Sequence, residues 1–170
     1  MNTAQAESHP PQIPAGHPVR PLRLSHLYVD NFKSLVDFRL PLAGFSCLID
    51  LNGSGKSTVL QAVDFISRLF KGQVSRWLNQ RQLRPADLNS KLTGKSNIGF
   101  RIELARESEV FVWTGNFNRT SLKCTQESLT INGHPVFAVK EGHYGPMDGQ
   151  GDWVRTRIAF DYEGSVLSQP

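Results

Sequence analysis

Along Arg23 to Val29 apolar and polar side chains alternate, the period of a half-buried strand, and Asp30-Asn31 follows as a turn. Leu35 to Leu40 predicts a second strand, closed by Pro41 and Gly44, and the apolar run Phe45 to Ile49 predicts a third. The period then lengthens. From Ser57 to Lys71, Val59, Leu60, Ala62, Val63, Ile66, Leu69 and Phe70 recur at helical spacing, and Gly72 is placed to cap the helix at its carboxyl end. Val74 to Leu78 predicts a short second helix, and Arg84-Pro-Ala-Asp a turn with proline near a helix start.

After Asn97 the period falls back to two. Ile98, Phe100, Ile102 and Leu104 alternate, as do Val110 and Val112, while Ser128–Ile131 and Val136–Val139 flank Asn132-Gly133, a strong hairpin signal. Gly142 to Gly151 reads as a flexible loop, and Arg155 to Tyr162 as a last alternating strand. Residues 97–162 are therefore expected to be mainly antiparallel β.

Composition adjusts this outline in a few places. Met1 to Pro21 is rich in Pro, Ala, Gln and His with almost no large apolar side chain, so residues 1–21 are expected to be a disordered leader and residues 22–170 the folded unit. The leader lacks the apolar segment of a secretory signal, and no stretch is long and apolar enough to span a membrane, so the expected location is cytoplasmic, with no membrane partner. Cys47 and Cys124 have no metal or redox spacing, and the five histidines are scattered. Net charge is +4 overall, yet Arg68 to Arg101 holds eight basic residues and one acid, Asp87. DNA phosphates are a possible partner of that segment, and a solvated surface is the competing reading.

The chemistry concentrates at Leu48 to Leu60, LIDLNGSGKSTVL. An apolar run, a glycine-rich loop and Lys-Ser-Thr opening a helix make a phosphate-binding loop of the G-x-x-x-x-G-K-[ST] type, in which Asp50 stands where the first glycine belongs. Gly53 and Gly55 let successive backbone N–H groups turn toward phosphate oxygens, and the positive end of the helix reinforces that field. Lys56 then reaches the β- and γ-phosphates of ATP, and the Ser57 hydroxyl ligates Mg²⁺. Asp50 sets a carboxylate beside the triphosphate and is expected to weaken binding. An ordinary glycine loop with a solvated Lys56 is the bland reading; the strand before and the amphipathic helix after favour the phosphate loop.

Taken together, the Asn31-Phe-Lys-Ser-Leu35 turn between two strands and the Asn52-Gly-Ser-Gly-Lys-Ser-Thr58 loop resemble the amino-terminal half of bacterial AAA-family, ABC-like P-loop ATPases of the RecF, SMC and OLD type. The resemblance implies an α/β fold, a P-loop NTPase ABC-like half-domain with an antiparallel β subdomain. It implies that Asn52, Gly53, Ser54, Gly55, Lys56, Ser57 and Thr58 bind ATP, that Lys33 lies near the nucleotide, and that Gln169 is a candidate catalytic residue sensing Mg²⁺ and water. It also implies a partner, either a homodimer's second copy or a complementary C-terminal ATPase half. The Walker-B carboxylates and the signature loop of that family are not found in the sequence, so a truncated or split lobe, inactive in hydrolysis by itself, is the expectation. A non-catalytic nucleotide-sensing or interaction module is a second reading, and a small P-loop kinase a third.

Overall fold

In a computed structural model the described residues are 21–49, 55–148 and 152–169. Residues 1–20 of the expected leader 1–21, Asp50 and the loop residues Asn52, Gly53 and Ser54 lie outside them. The chain builds one antiparallel sheet with a helical layer on one face. Strands β1 (Arg23–Asp30) and β2 (Phe38–Pro41) are followed by helices α1 (Lys56–Phe70) and α2 (Val74–Gln80) and a 3-10 turn at Pro85–Asp87. Then come β3 (Asn97–Arg106), β4 (Glu109–Asn118), β5 (Lys123–Ile131), β6 (His134–Lys140), β7 (His143–Pro146), β8 (Thr156–Arg157) and a 3-10 turn at Val166–Ser168. The sheet order is β2-β1-β3-β4-β5-β6-β7-β8. After its helical excursion the chain thus returns to β1 on the side that β2 leaves open.

Alternation decides the faces. Leu27 and Val29 point to the helices and pair in register with Ile102 and Phe100, while Tyr28 and Asp30 lie on the other face. The hairpin signal is realised in full, since Asn132 (φ 50°) and Gly133 (φ 81°) both adopt the left-handed conformation that a two-residue turn between twisted strands requires. Phe65 of α1 is the hub of the core. Its ring lies 5.2 Å from Phe32, 5.5 Å from Trp77 and 5.1 Å from Phe117, joining the β1–β2 turn, α2 and the sheet. The carboxyl end of α1 closes as expected: Gly72 (φ 60°) lets its N–H reach Leu69 O at 3.2 Å while Gln73 N–H reaches Arg68 O at 3.0 Å.

Four expectations are corrected. The run Phe45–Ile49 forms no strand; Phe45 and Ile49 are each 87 % exposed. A strand buried on both faces needs neighbours on both edges, and no described strand lies alongside this run. The buried stripe of α1 is Val59, Ala62, Phe65, Ile66 and Leu69, so Leu60 (66 % exposed) and Val63 fall on a second apolar side, and Phe70, at its edge, meets the sheet only through an edge-on contact with Trp113 at 5.1 Å. Gly142 to Gly151 is not all loop, because His143–Pro146 pairs with β6 through a turn at Glu141-Gly142. Finally, of Arg155–Tyr162 only Thr156–Arg157 pairs, the short β7 offering an edge at His143 and Tyr144 alone.

Candidate functional site

The candidate site is the amino-terminal end of α1 and the β1–β2 turn packed against it. Gly55 is the residue before the helix, at φ 100°, and its carbonyl accepts the Val59 N–H at 3.0 Å. No side chain caps this end, and the first turn, Lys56, Ser57 and Thr58, carries no acid. A side chain at position 55 would meet both a forbidden backbone region and the Ser34 hydroxyl, 3.3 Å from where its Cβ would sit. Among the described residues this helix end thus carries no acid and no side-chain cap, which suits it to an anion.

The β1–β2 turn is held rigidly in place. Asn31, fully buried at φ 62°, donates its amide to Lys95 O (2.8 Å) and Asn97 O (2.9 Å), and its oxygen accepts from Ser90 N (3.2 Å) and Thr93 Oγ1 (2.6 Å). All the amide's hydrogen-bonding capacity is used, so the turn cannot swing without orphaning buried groups. This rigidity aims Ser34 at the helix, where its hydroxyl donates to Thr58 Oγ1 at 3.3 Å. Between turn and helix, Ser34, Val36, Phe38, Leu48, Gly55 and Lys56 line a cavity of about 290 Å³.

Lys33 takes a different position. Its ammonium donates to Gln61 Oε1 at 2.7 Å, one turn beyond Ser57 along α1. Burial first, and the charge of Arg81 second, hold it below the usual lysine value, against the pull of Asp87. Gln169 is not brought to this end at all. It is exposed, donates to Ser168 Oγ at 3.1 Å, and Ser168 in turn lies against Gly72, past the far end of α1. A helix of 15 residues separates the two ends by roughly 20 Å. Gly55, Lys56, Ser57 and Thr58 are thus together, Lys33 stands one turn away, and Asn52, Gly53 and Ser54 lie outside the described residues.

Sequence reasoning missed Ser34, whose only signal was its place in the turn, and it missed a buried carboxylate. Glu127, 4 % exposed on β5, accepts from Trp113 Nε1 (3.0 Å), Val166 N (2.8 Å) and the Ser165 hydroxyl. Burial raises its pKa, and the three donors oppose that rise. The segment 163–168 is pinned to α1 and α2 as well: Ser165 N–H donates to Leu69 O (2.9 Å), and the Glu163 carboxylate accepts from Ser75 N at 2.6 Å.

The basic window is not a bare positive surface. Arg68 and Arg81 pair with Asp64, Arg84 with Asp87, Lys95 with Asp30, and Arg101 approaches Glu103 at 3.8 Å. Three of those acids lie outside the window in sequence, so the run overstated its charge.

The chain is similar to proteins already known. An OLD nuclease of Thermus scotoductus is 32 % identical over 146 residues, 85 % of this chain and 26 % of that protein. A DNA replication and repair protein RecF of Proteus mirabilis is 31 % identical over 91 residues, 51 % of this chain and 25 % of that protein. A solved structure of the recombination mediator protein RecF with ATPrS matches at a TM-score of 0.45 and 19 % identity, over 71 % of this chain and 29 % of that one. The chain spans about a quarter of the length of these curated relatives. No family model matches the sequence.

Proposed function

Because the chain belongs to the RecF and OLD type of P-loop ATPases, we propose that it is an ATP-binding lobe of such an ATPase. Asn52 to Thr58 form the phosphate loop, Lys56 carries its charge to the β- and γ-phosphates, and Ser57 ligates Mg²⁺. The residues fit the ligand, since Gly55 leaves a cradle that a Cβ would fill and the α1 end carries neither cap nor acid. The acid-free, uncapped first turn of α1 behind the left-handed Gly55 is the observation that carries the reading. Bound Mg-ATP supplies a transferable γ-phosphoryl group. The chain's own part is to hold and orient it, with Ser34 bracing Gly55 and Thr58 and with Lys33 adding positive potential one turn away. Gln169 has no place in this assignment.

Hydrolysis belongs to the completed head, and the chain by itself is a binder. The proposed partner is a complementary C-terminal ATPase half, with a second copy of this chain as the other candidate. The exposed apolar side chains Phe45, Ile49, Leu60 and Val63 support it, since association covers surface of that kind. The cytoplasm is the proposed location; no helix among the described residues is long and apolar enough to cross a membrane. Titration calorimetry with Mg-ATP tests the assignment. Binding lost in Lys56→Ala, with unfolding unchanged, supports it, and a variant that binds as the parent does refutes it.

A further inference from the structure

Beside the carboxyl end of α1, on the helix-bearing face of the sheet, Phe137, Tyr144 and Phe160 line a groove of about 520 Å³. We propose that this groove binds proline-rich peptide and that its occupant is the chain's own Pro11-Gln-Ile-Pro14, independently of the nucleotide site. Strand register builds its floor. Trp113, Leu129 and Phe137 pair successively from β4 to β6 and so share the face on which Trp113 meets Phe70 of α1. Two residues on, Val139 faces Tyr144, which sets the Tyr144 ring diagonally beside Phe137 on that face. The Phe160 ring stands edge-on to Tyr144 at 5.5 Å and to Tyr162 at 6.1 Å, so the rings follow one another along the groove.

Val166 and Leu167 form a wall that is fixed in place, since Ser165 N–H donates to Leu69 O at 2.9 Å and Val166 N–H to Glu127 at 2.8 Å. Gln169 closes the rim, its amide donating to Ser168 Oγ and keeping a second N–H for a ligand carbonyl. Preformed rings with a donor at the rim are what polyproline II recognition uses. That helix is extended, makes no internal hydrogen bonds and turns every three residues, so prolines three apart share one face. The sequence supplies such a ligand. Five of the chain's ten prolines fall within residues 1–21, and two pairs have the spacing, Pro11 with Pro14 and Pro18 with Pro21.

Distance selects the first pair. Leu24, Leu104, Phe111, Ile131 and His134 form one row across β1, β3, β4, β5 and β6. Four interstrand steps of about 4.8 Å, and three residues along β6, put Phe137 roughly 22 Å from Leu24. The ten residues from Leu24 back to Pro14 span up to about 31 Å at the polyproline II rise, whereas the three back to Pro21 span about 9 Å and fall short. The crossing runs over Leu104, Phe111 and Ile131, half-buried side chains on the same face as Trp113 and Leu129. A segment with almost no large apolar side chain cannot build a core of its own, and a ready-made groove removes that need. Being tethered, the segment also meets the groove at an effective concentration on the order of millimolar, which favours it over the same sequence on another molecule.

The test uses the 170-residue chain, the same chain carrying Pro11→Ala and Pro14→Ala together, and a fluorescein-labelled peptide of residues 9–21 read by anisotropy. The parent should bind the peptide about tenfold more weakly than the double variant, because its groove is already filled. Adding Phe160→Ala to the double variant should lose the peptide; Phe160 is 38 % exposed, and circular dichroism checks that the fold is kept. Nuclear magnetic resonance gives a readout that needs no groove variant. The double substitution should shift the backbone amide signals of Phe137, Tyr144 and Phe160 and leave those of Ser57 and Thr58 in place. Lys56→Ala should leave peptide binding unchanged, which separates this site from the phosphate loop. Equal peptide affinity in parent and double variant, no peptide binding by the double variant, a folded Phe160→Ala form that still binds, or unmoved groove signals would each overturn the proposal. So would a dimer of the parent that the double substitution dissociates, since the segment would then sit on a second copy.

Discussion

Replacing Glu127 by Gln changes one atom type and tests the buried junction between the sheet and the carboxyl-terminal segment. Two carboxylate oxygens accept from three donors: Oε2 from Trp113 Nε1 and the Ser165 hydroxyl, Oε1 from Val166 N–H. A glutamine has a single oxygen, so either Trp113 or Val166 must face an NH₂ group in a place that water does not reach. One buried donor left unsatisfied costs about 1–3 kcal/mol. A protonated Glu127 suffers no such loss, because it can donate to the Ser165 hydroxyl while both oxygens still accept.

The sign of the pH dependence follows. Burial raises the folded pKa above the unfolded value, so the parent binds its proton more tightly when folded and its stability falls as pH rises from the unfolded value through the folded one. Glutamine does not titrate. The variant should therefore be less stable than the parent by about 1–3 kcal/mol near pH 4 to 5, roughly 2–12 °C in Tm, with the gap narrowing toward pH 8. Urea unfolding followed by tryptophan emission at both pH values measures it. A variant as stable as the parent at the lower pH, or a gap that widens with pH, refutes the convergence of three donors on Glu127.

Three further outcomes are expected. Gly164→Ala should cost roughly 2–4 kcal/mol in urea unfolding, because residue 164 sits at φ 72° and a Cβ there would stand 2.4 Å from Leu69 O. Asp64 accepts from Trp77 Nε1 (2.7 Å) and Arg81 (2.6 Å). Burial alone would raise its pKa, yet these bonds and the Arg68 charge hold it below the usual aspartate value. Its contribution should hence be present above the unfolded pKa and lost as pH falls through the folded one. Asp64→Asn should remove that acid-side slope and about 1 kcal/mol of stability at pH 7, read by thermal unfolding at several pH values. Asp50→Gly should tighten Mg-ATP binding by about 1–3 kcal/mol in calorimetry, the range for removing one charge near phosphates at intermediate dielectric, and unchanged affinity would show that Asp50 points away from them.

The sequence by itself determined the elements whose cause is local. Period, turn chemistry and caps made α1, the Asn132-Gly133 hairpin and the Gly72 helix stop legible, and the Gly-Lys-Ser-Thr run at residues 55–58 marked the uncapped start of α1. Only the tertiary structure decided what depends on neighbours. The apolar run Phe45–Ile49 reads as a strand, but a strand exists only where another offers it hydrogen bonds, and none among the described residues does. Leu60 and Val63 have the same hydrophobicity as Val59 and Ile66, and which side of α1 is covered was settled by the single sheet available. Lys33 followed the backbone of its turn toward Gln61, leaving Ser34 beside Gly55, a one-residue difference that no periodicity encodes. Basic residues of the 68–101 run met acids from distant parts of the chain, and Glu127 met its three donors from β4 and from residues 165 and 166, because charge pairing and buried hydrogen bonds are set by proximity in space and not by spacing along the chain.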